Sequence, residues 1–228
     1  MKKQFNIALI FFSRTKADEA TTKQWFSGHS KNKEFAQLLI ERANQEISYS
    51  GLPVYHFDER NQKGDSFGER LANAYQEVFN LGYDQVISVG NDCPDLKNIN
   101  WERITQELAS GKSVLGPDLR GGAYLIGIQK SSFDKTKFEN LSWQHNKLFS
   151  ELTQFCLKTS LISKLQKYRD INSLYDIRIL ATVKNSGDNF FKILSRFLKP
   201  AKPFIIAFRS AYHDFNIFKD SPLRAPPF

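Results

Sequence analysis

The segment Val86-Ile87-Ser88-Val89-Gly90-Asn91-Asp92-Cys93-Pro94-Asp95-Leu96 sets a carboxylate two residues beyond the glycine that ends an apolar run. If that run is a strand of an open α/β sheet, Asp92 stands at its carboxyl end, where such sheets bind their ligands. A carboxylate there suits Mg²⁺ or Mn²⁺, hard ions that take one or two protein oxygens and complete their shells with substrate phosphate. The competing reading is that Asp92 caps the turn that follows. Cys93, with no histidine nearby in the sequence, reads as a packing residue rather than a nucleophile.

Three more segments could carry chemistry. In Gly116-Pro117-Asp118-Leu119-Arg120-Gly121-Gly122-Ala123-Tyr124, the glycines would let backbone approach a ligand closely, although a plain turn between strands explains them equally well. Asp118 is the carboxylate nominated there as a base toward an acceptor hydroxyl. The loop Gln62-Lys63-Gly64-Asp65-Ser66-Phe67-Gly68-Glu69-Arg70 runs into a helix whose start favours anions, with Arg70 one turn inside; a solvated charged helix start is the alternative. In Tyr168-Arg169-Asp170-Ile171-Asn172-Ser173, Asp170 and Asn172 alternate on an extended stretch and so face the same way, while Asn172 or Ser173 caps the next helix.

These residues need a scaffold, and the apolar pattern predicts one. Residues 5–12 form a continuous apolar run, as a strand buried on both faces requires. A polar stretch from Ser13 to Lys33 follows, and then a helix carrying Phe35, Leu38, Leu39 and Ala43. Further strands are read at 52–57, 85–90, 113–116 and 124–128. Helices are read around Phe67–Val78, Trp101–Leu108 and Leu174–Leu180. Strands alternating with helices predict an α/β layer sandwich on a mostly parallel sheet.

The composition is that of a soluble globular chain: 228 residues, 41% hydrophobic and 25% charged. The longest apolar run, Ile7 to Phe12, is far below the roughly 20 residues that cross a bilayer. It also makes a poor secretory signal, so the expectation is a cytoplasmic protein. Two cysteines cannot make a disulfide framework. The net charge of +8 favours anionic partners. Of that excess, +4 lies in residues 186–228, which also hold five of the eight prolines and eight of the twenty phenylalanines. This extension is read as one amphipathic helix over Phe190–Leu198 ended by Pro200, then an apolar segment at 204–208 that packs on the core or on a second subunit as a homodimer contact. No nucleic-acid recognition motif accompanies the charge, and a membrane-surface role is the weaker alternative.

Familiar phosphate and hydrolase motifs are absent. No Gly-x-Gly-x-x-Gly follows the first strand, and neither His-Glu-x-x-His nor Gly-x-Ser-x-Gly occurs. Gly111-Lys112-Ser113 has the end of a phosphate-binding loop, but Gln106 replaces its first glycine and a strand follows.

Taken together, Asn91-Asp92-Cys93-Pro94-Asp95-Leu96, Gly116-Pro117-x-x-x-Gly121-Gly122-x-Tyr124-Leu125-Ile126-Gly127 and Gln62-x-Gly64-x-x-x-Gly68-Glu69-Arg70 resemble a bacterial family of glycosyltransferase-like proteins. That family belongs to the nucleotide-diphospho-sugar transferase superfamily, and some members are associated with arsenosugar biosynthesis. Asp170-Ile171-Asn172-Ser173 also resembles a turn that related nucleotidyltransferases use near their second metal ligand. The resemblance implies a glycosyltransferase-A-like three-layer α/β/α sandwich over residues 1–185, with Asp92 as the metal-site carboxylate and Asp170 or Asn172 as a second ligand. The sequence departs from the family's first loop, and Arg120 stands where the family has an aspartate before the double glycine. A cation there would weaken metal binding or replace part of the metal's charge.

The function so expected is a Mg²⁺- or Mn²⁺-dependent transferase acting on a nucleotide-diphosphate sugar and a small-molecule acceptor. Arg14, Lys16 and Lys23 would add positive charge at the phosphates, with Arg70 at the helix start, while Gly64 and Gly121-Gly122 shape the nucleotide and acceptor pockets. The alternatives are nucleotidyl transfer from a nucleoside triphosphate to a phosphorylated acceptor, with Lys16 or Lys23 at the α-phosphate, and an inactive nucleotide-binding or assembly module on the same scaffold.

Overall fold

The computed structural model describes residues 6–183 and 189–199. Six strands form one sheet in the order β2-β1-β3-β5-β4-β6. They are β1 (Ile7–Phe12), β2 (Val54–Phe57), β3 (Gln85–Val89), β4 (Ser113–Pro117), β5 (Ala123–Gln129) and β6 (Ile162–Lys164). β1 pairs parallel with β2 and β3, and β4 with β6; only β5 runs against its neighbours. The sheet is mostly parallel, as expected.

Alternation along the strands builds two cores. Ala8 and Ile10 of β1, with Val86, Leu115, Ile126 and Ile128, face α3 (Phe67–Asn80), α5 (Lys135–Glu139) and α6 (Leu148–Leu157). Ile7, Leu9 and Phe11, with Ile87, Val89, Val114 and Leu125, face α2 (His29–Ser48) and α4 (Trp101–Ala109). Helices on both faces explain why β1 is an unbroken apolar run: both sets of side chains are buried. The result is a three-layer α/β/α sandwich.

The Ser13–Lys33 stretch holds more structure than its polarity suggested. Thr15 caps α1 (Lys16–Thr22), accepting from the Asp18 N–H at 3.4 Å, and α2 starts at His29 after Gly28, whose φ is 108°. Asp18 and Glu19 lie in the first turn of α1, where acidic side chains favour the helix start. A third cluster lies on the outer side of α2. There Trp25, Phe35 and Leu39 pack with Ile171, with Ile177 and Leu180 of α7 (Leu174–Val183), and with Phe190, Phe191 and Leu194 of α8 (Asn189–Leu198). Residues through Leu198 form one compact unit, so α8 packs on the core. The expected features at 204–208 and beyond, including any dimer contact, lie outside the described residues.

Candidate active site

At the carboxyl ends of β1 and β3, between α1 on one side and α3 on the other, opens a cleft of about 570 Å³. Its floor is Phe12, Ser88, Val89, Gly90, Ala123, Tyr124 and Ile126. Gly90 leaves room for the Asp92 carboxylate, because a Cβ there would meet Asp92 Oδ1 at 3.1 Å.

On the α1 side the lysine of the cleft is held between two carboxylates. Lys23 Nζ lies 3.1 Å from both Asp92 Oδ2 and Glu19 Oε1, and Asn91 Nδ2 donates to Glu19 Oε1 at 3.3 Å. Burial alone would lower the Lys23 pKa, but Asp92 and Glu19 outweigh it and hold the ammonium's pKa above its ordinary value. The Asp92 side chain makes a long-range ion pair and caps no helix; its backbone carbonyl accepts from Ile171 N–H at 2.7 Å, tying the β3 end to the 170–173 stretch. Asp170 sits beside Asp92 and Asp118, half-buried, with its Oδ1 shielded from solvent. Burial first, then these two carboxylates, pushes its pKa well above the usual carboxylate range, and its Oδ1 has no hydrogen-bond partner. Among the described residues no set of three His, Cys, Asp or Glu is arranged as a metal cage.

The β4–β5 connection is a hairpin held by Asp118. Its Oδ1 accepts from the N–H groups of Arg120 at 2.6 Å and Gly122 at 2.7 Å, and its own N–H donates to the Gly122 carbonyl at 3.0 Å. The turn reading of this loop is met, and Asp118, Arg120 and Gly122 also line the cleft. The Arg120 guanidinium reaches Asp176 of α7 at 2.7 and 2.8 Å. Asp176 is wholly buried and also takes Arg169, the Asn172 N–H and the Ser173 hydroxyl. The cation that precedes the double glycine is therefore committed to an ion pair within the protein. Ser173 opens α7, its Oγ accepting from Asp176 N–H at 3.4 Å.

The α3 side differs in kind. Ser66 and Glu69 form a reciprocal cap at the start of α3. Phe67, Arg70 and Leu71 line the cleft there, together with Trp143, Gln144, His145, Asn146 and Leu148. Gly68 lets α3 pack against the indole of Trp143, and the Gly121 backbone meets Asn146 so closely that a Cβ would run into its carbonyl. Gln144 has a φ of 64°, in the left-handed region. The 143–146 stretch was not anticipated, since nothing in its polar, loop-like composition marks it as a wall.

Of the expected site residues, Arg14, Lys23, Arg70, Asp92, Asp118, Gly122, Asp170 and Asn172 share the cleft. Lys16 does not line it, bonding Gln37 at 2.9 Å instead. Gly64 (φ 126°) closes its loop against Glu69 and Arg70, and Gly121 serves the hairpin's packing. Cys93 is buried with its thiol pKa pushed up, chiefly by burial, as a packing residue should be.

The model of the family described as uncharacterized proteins conserved in bacteria (DUF2064) matches residues 15–145, the span from the α1 cap to the 143–146 wall. The chain belongs to this family. No curated protein sequence matches it. Among solved structures, it is similar to a candidate nucleotide-diphospho-sugar transferase from Desulfovibrio desulfuricans G20. That likeness has a TM-score of 0.69 and 20% identity, covering 85% of this chain and 95% of that one. A glycosyltransferase involved in glycosylation of the major capsid of PBCV-1 overlaps more loosely, with a TM-score of 0.42, 10% identity, and 70% and 82% coverage. So does a cytidylyltransferase from Leptospira borgpetersenii serovar Hardjo-bovis, with a TM-score of 0.40, 11% identity, and 85% and 93% coverage. The first likeness shows the fold of this DUF2064 protein to be glycosyltransferase-A-like. No helix among its described residues is long and apolar enough to cross a membrane.

Proposed function

We propose that this protein is a divalent-metal-dependent transferase that takes a nucleotide-diphosphate sugar as donor, the arsenosugar-type transfer that its motifs resemble being one case. One observation carries this reading. Asp92, Asp118 and Asp170, from three segments far apart in the sequence, meet Lys23 in a single cleft at the carboxyl ends of the sheet. The name borne by the D. desulfuricans protein of similar fold points the same way.

Asp92 and Asp170 would hold Mg²⁺ or Mn²⁺, with Asn172 beside them. The fit rests on the buried Asp170 Oδ1, an oxygen with no donor among the described residues, such as a cation would satisfy. When bound there, the ion supplies charge neutralisation on the departing nucleoside diphosphate. Lys23 adds a fixed positive charge beside Asp92, and Arg14 a second at the mouth of the cleft. Asp118 stands next to Asp170 as the carboxylate nominated to take a proton from an acceptor hydroxyl.

The test is a thermal-shift panel of nucleotides with and without Mn²⁺, followed by calorimetry on the responding one. Asp92→Ala should weaken metal-dependent nucleotide binding by about 100-fold, the loss of a charged ligand in a partly buried site. Unchanged affinity would overturn the reading, and a panel with no response at all would favour an inactive scaffold. Nucleotidyl transfer is the second reading, favoured by Lys23, the lysine of the first loop that lines the cleft. Pyrophosphate release from a triphosphate distinguishes it.

A further inference from the structure

Four cationic side chains line the cleft, and their partners differ. Arg14 pairs with Asp18, Lys23 with Asp92 and Glu19, and Arg120 with Asp176. Arg70 is the one with no carboxylate partner among the described residues. Its Nη1 donates to the Asp65 carbonyl at 3.0 Å, which anchors the side chain and leaves the rest of the guanidinium fork unused. The adjacent Glu69 does not take it, because that carboxylate accepts from the N–H groups of Asp65 and Ser66 at 2.7 and 3.2 Å.

Arg70 is also held on a rigid wall. The capping box fixes the first turn of α3, Phe67 packs on Trp143 with ring centroids 5.5 Å apart, and Trp143 Nε1 donates to the Phe138 carbonyl at 2.8 Å. An anchored guanidinium beside aromatic surface, across a cleft from a carboxylate cluster, matches a planar anion on a small organic molecule. Lys23 and Asp92 lie on the α1 side, where the donor's diphosphate would sit, so the α3 side faces the other reactant.

We propose that the α3 wall is the acceptor subsite, and that it selects an acceptor carrying a carboxylate or phosphate monoester, which Arg70 holds while Phe67 and Trp143 cover its apolar part. This rests on the transferase reading above and narrows its substrate class. Arg70 then belongs to the acceptor, not to the donor phosphates.

The experiment is calorimetry on the full chain with Mn²⁺ and the nucleoside diphosphate chosen by the thermal-shift panel, using glycerol 1-phosphate, glycerate and glycerol as probes. The two anionic probes should bind at least about 10-fold more tightly than glycerol. Arg70→Ala should erase that preference, Arg70→Lys should restore part of it, and neither should move nucleoside diphosphate affinity. Glycerol 1-phosphate binding without glycerate binding would mark a phosphate acceptor, and the reverse a carboxylate one. Equal binding of all three probes would overturn the proposal, as would an Arg70→Ala variant that loses the nucleotide but keeps the probe. Arg70-dependent binding of an anionic probe in a protein that binds no nucleotide would instead sink the donor reading and leave the anion site standing.

Discussion

The two walls of the cleft are built on opposite principles. On the α1 side and along the β4–β5 hairpin the cations are paired within the protein: Lys23 lies between Asp92 and Glu19, and Arg120 is spent on Asp176. On the α3 side a single guanidinium faces the cavity beside Phe67 and Trp143, held by one backbone carbonyl. A paired charge in a low-dielectric setting is preorganised and changes little when ligand arrives. An uncommitted one is free to choose its ligand. The first arrangement suits groups common to all turnovers, and the second suits recognition.

Three substitutions would sharpen or break this contrast. The largest effect is expected of Gly121→Ala, at a φ of 87° where the new Cβ meets the Asn146 carbonyl. It should cost about 3 kcal/mol, from left-handed strain together with overpacking. The loss is read as a lower midpoint in urea, and by displacing the 143–146 stretch it should weaken anionic probes more than nucleotide. An unchanged midpoint would mean that the α3 wall is looser than its packing implies.

Asp176→Asn comes next, at about 2 kcal/mol near pH 7, because Arg120 is partly exposed and its share is screened. Burial pushes the Asp176 pKa up, but the Ser173 hydroxyl, Arg120 and the Asn172 N–H outweigh it and hold it below the usual carboxylate value. A depressed carboxylate stabilises the fold above its unfolded pKa, near 3.9, and that contribution is lost as pH falls through the folded value. The gap between wild type and variant should therefore close below about pH 4 in thermal melts. A gap that did not shrink at all as pH fell below about 4 would place its cause outside the ion pairs.

Ser66→Ala is the mildest, at about 1 kcal/mol for a lost N-cap. It should loosen the turn that carries Arg70 and weaken anionic probes a few-fold, leaving Mn²⁺-dependent nucleotide binding untouched. Equal weakening of both would merge the two walls into one functional unit.

Much of this was legible in the residues. The unbroken run at β1, the 4-3-1-3 spacing of Phe67, Leu71, Ala74, Tyr75 and Val78, and Asp92 just past a strand-ending glycine each report a local period or turn that needs no distant partner. The short helices were not, because α1, α5 and α6 lie in polar or mixed stretches where packing and caps outweigh periodicity. Nor was the antiparallel sense of β5, since apolar pattern carries no direction.

What the chain's local chemistry determined alone was the layered α/β class and a shortlist of carboxylates, cations and glycines. Only the tertiary structure decided which of them meet. Lys23 and Asp92 are 69 residues apart, and Arg120 and Asp176 are 56 apart, so their pairing depends on where α1 and α7 dock on the sheet. Electrostatic partnership acts through space over a few ångströms, and linear spacing holds no record of which cation is already taken and which is left to a ligand.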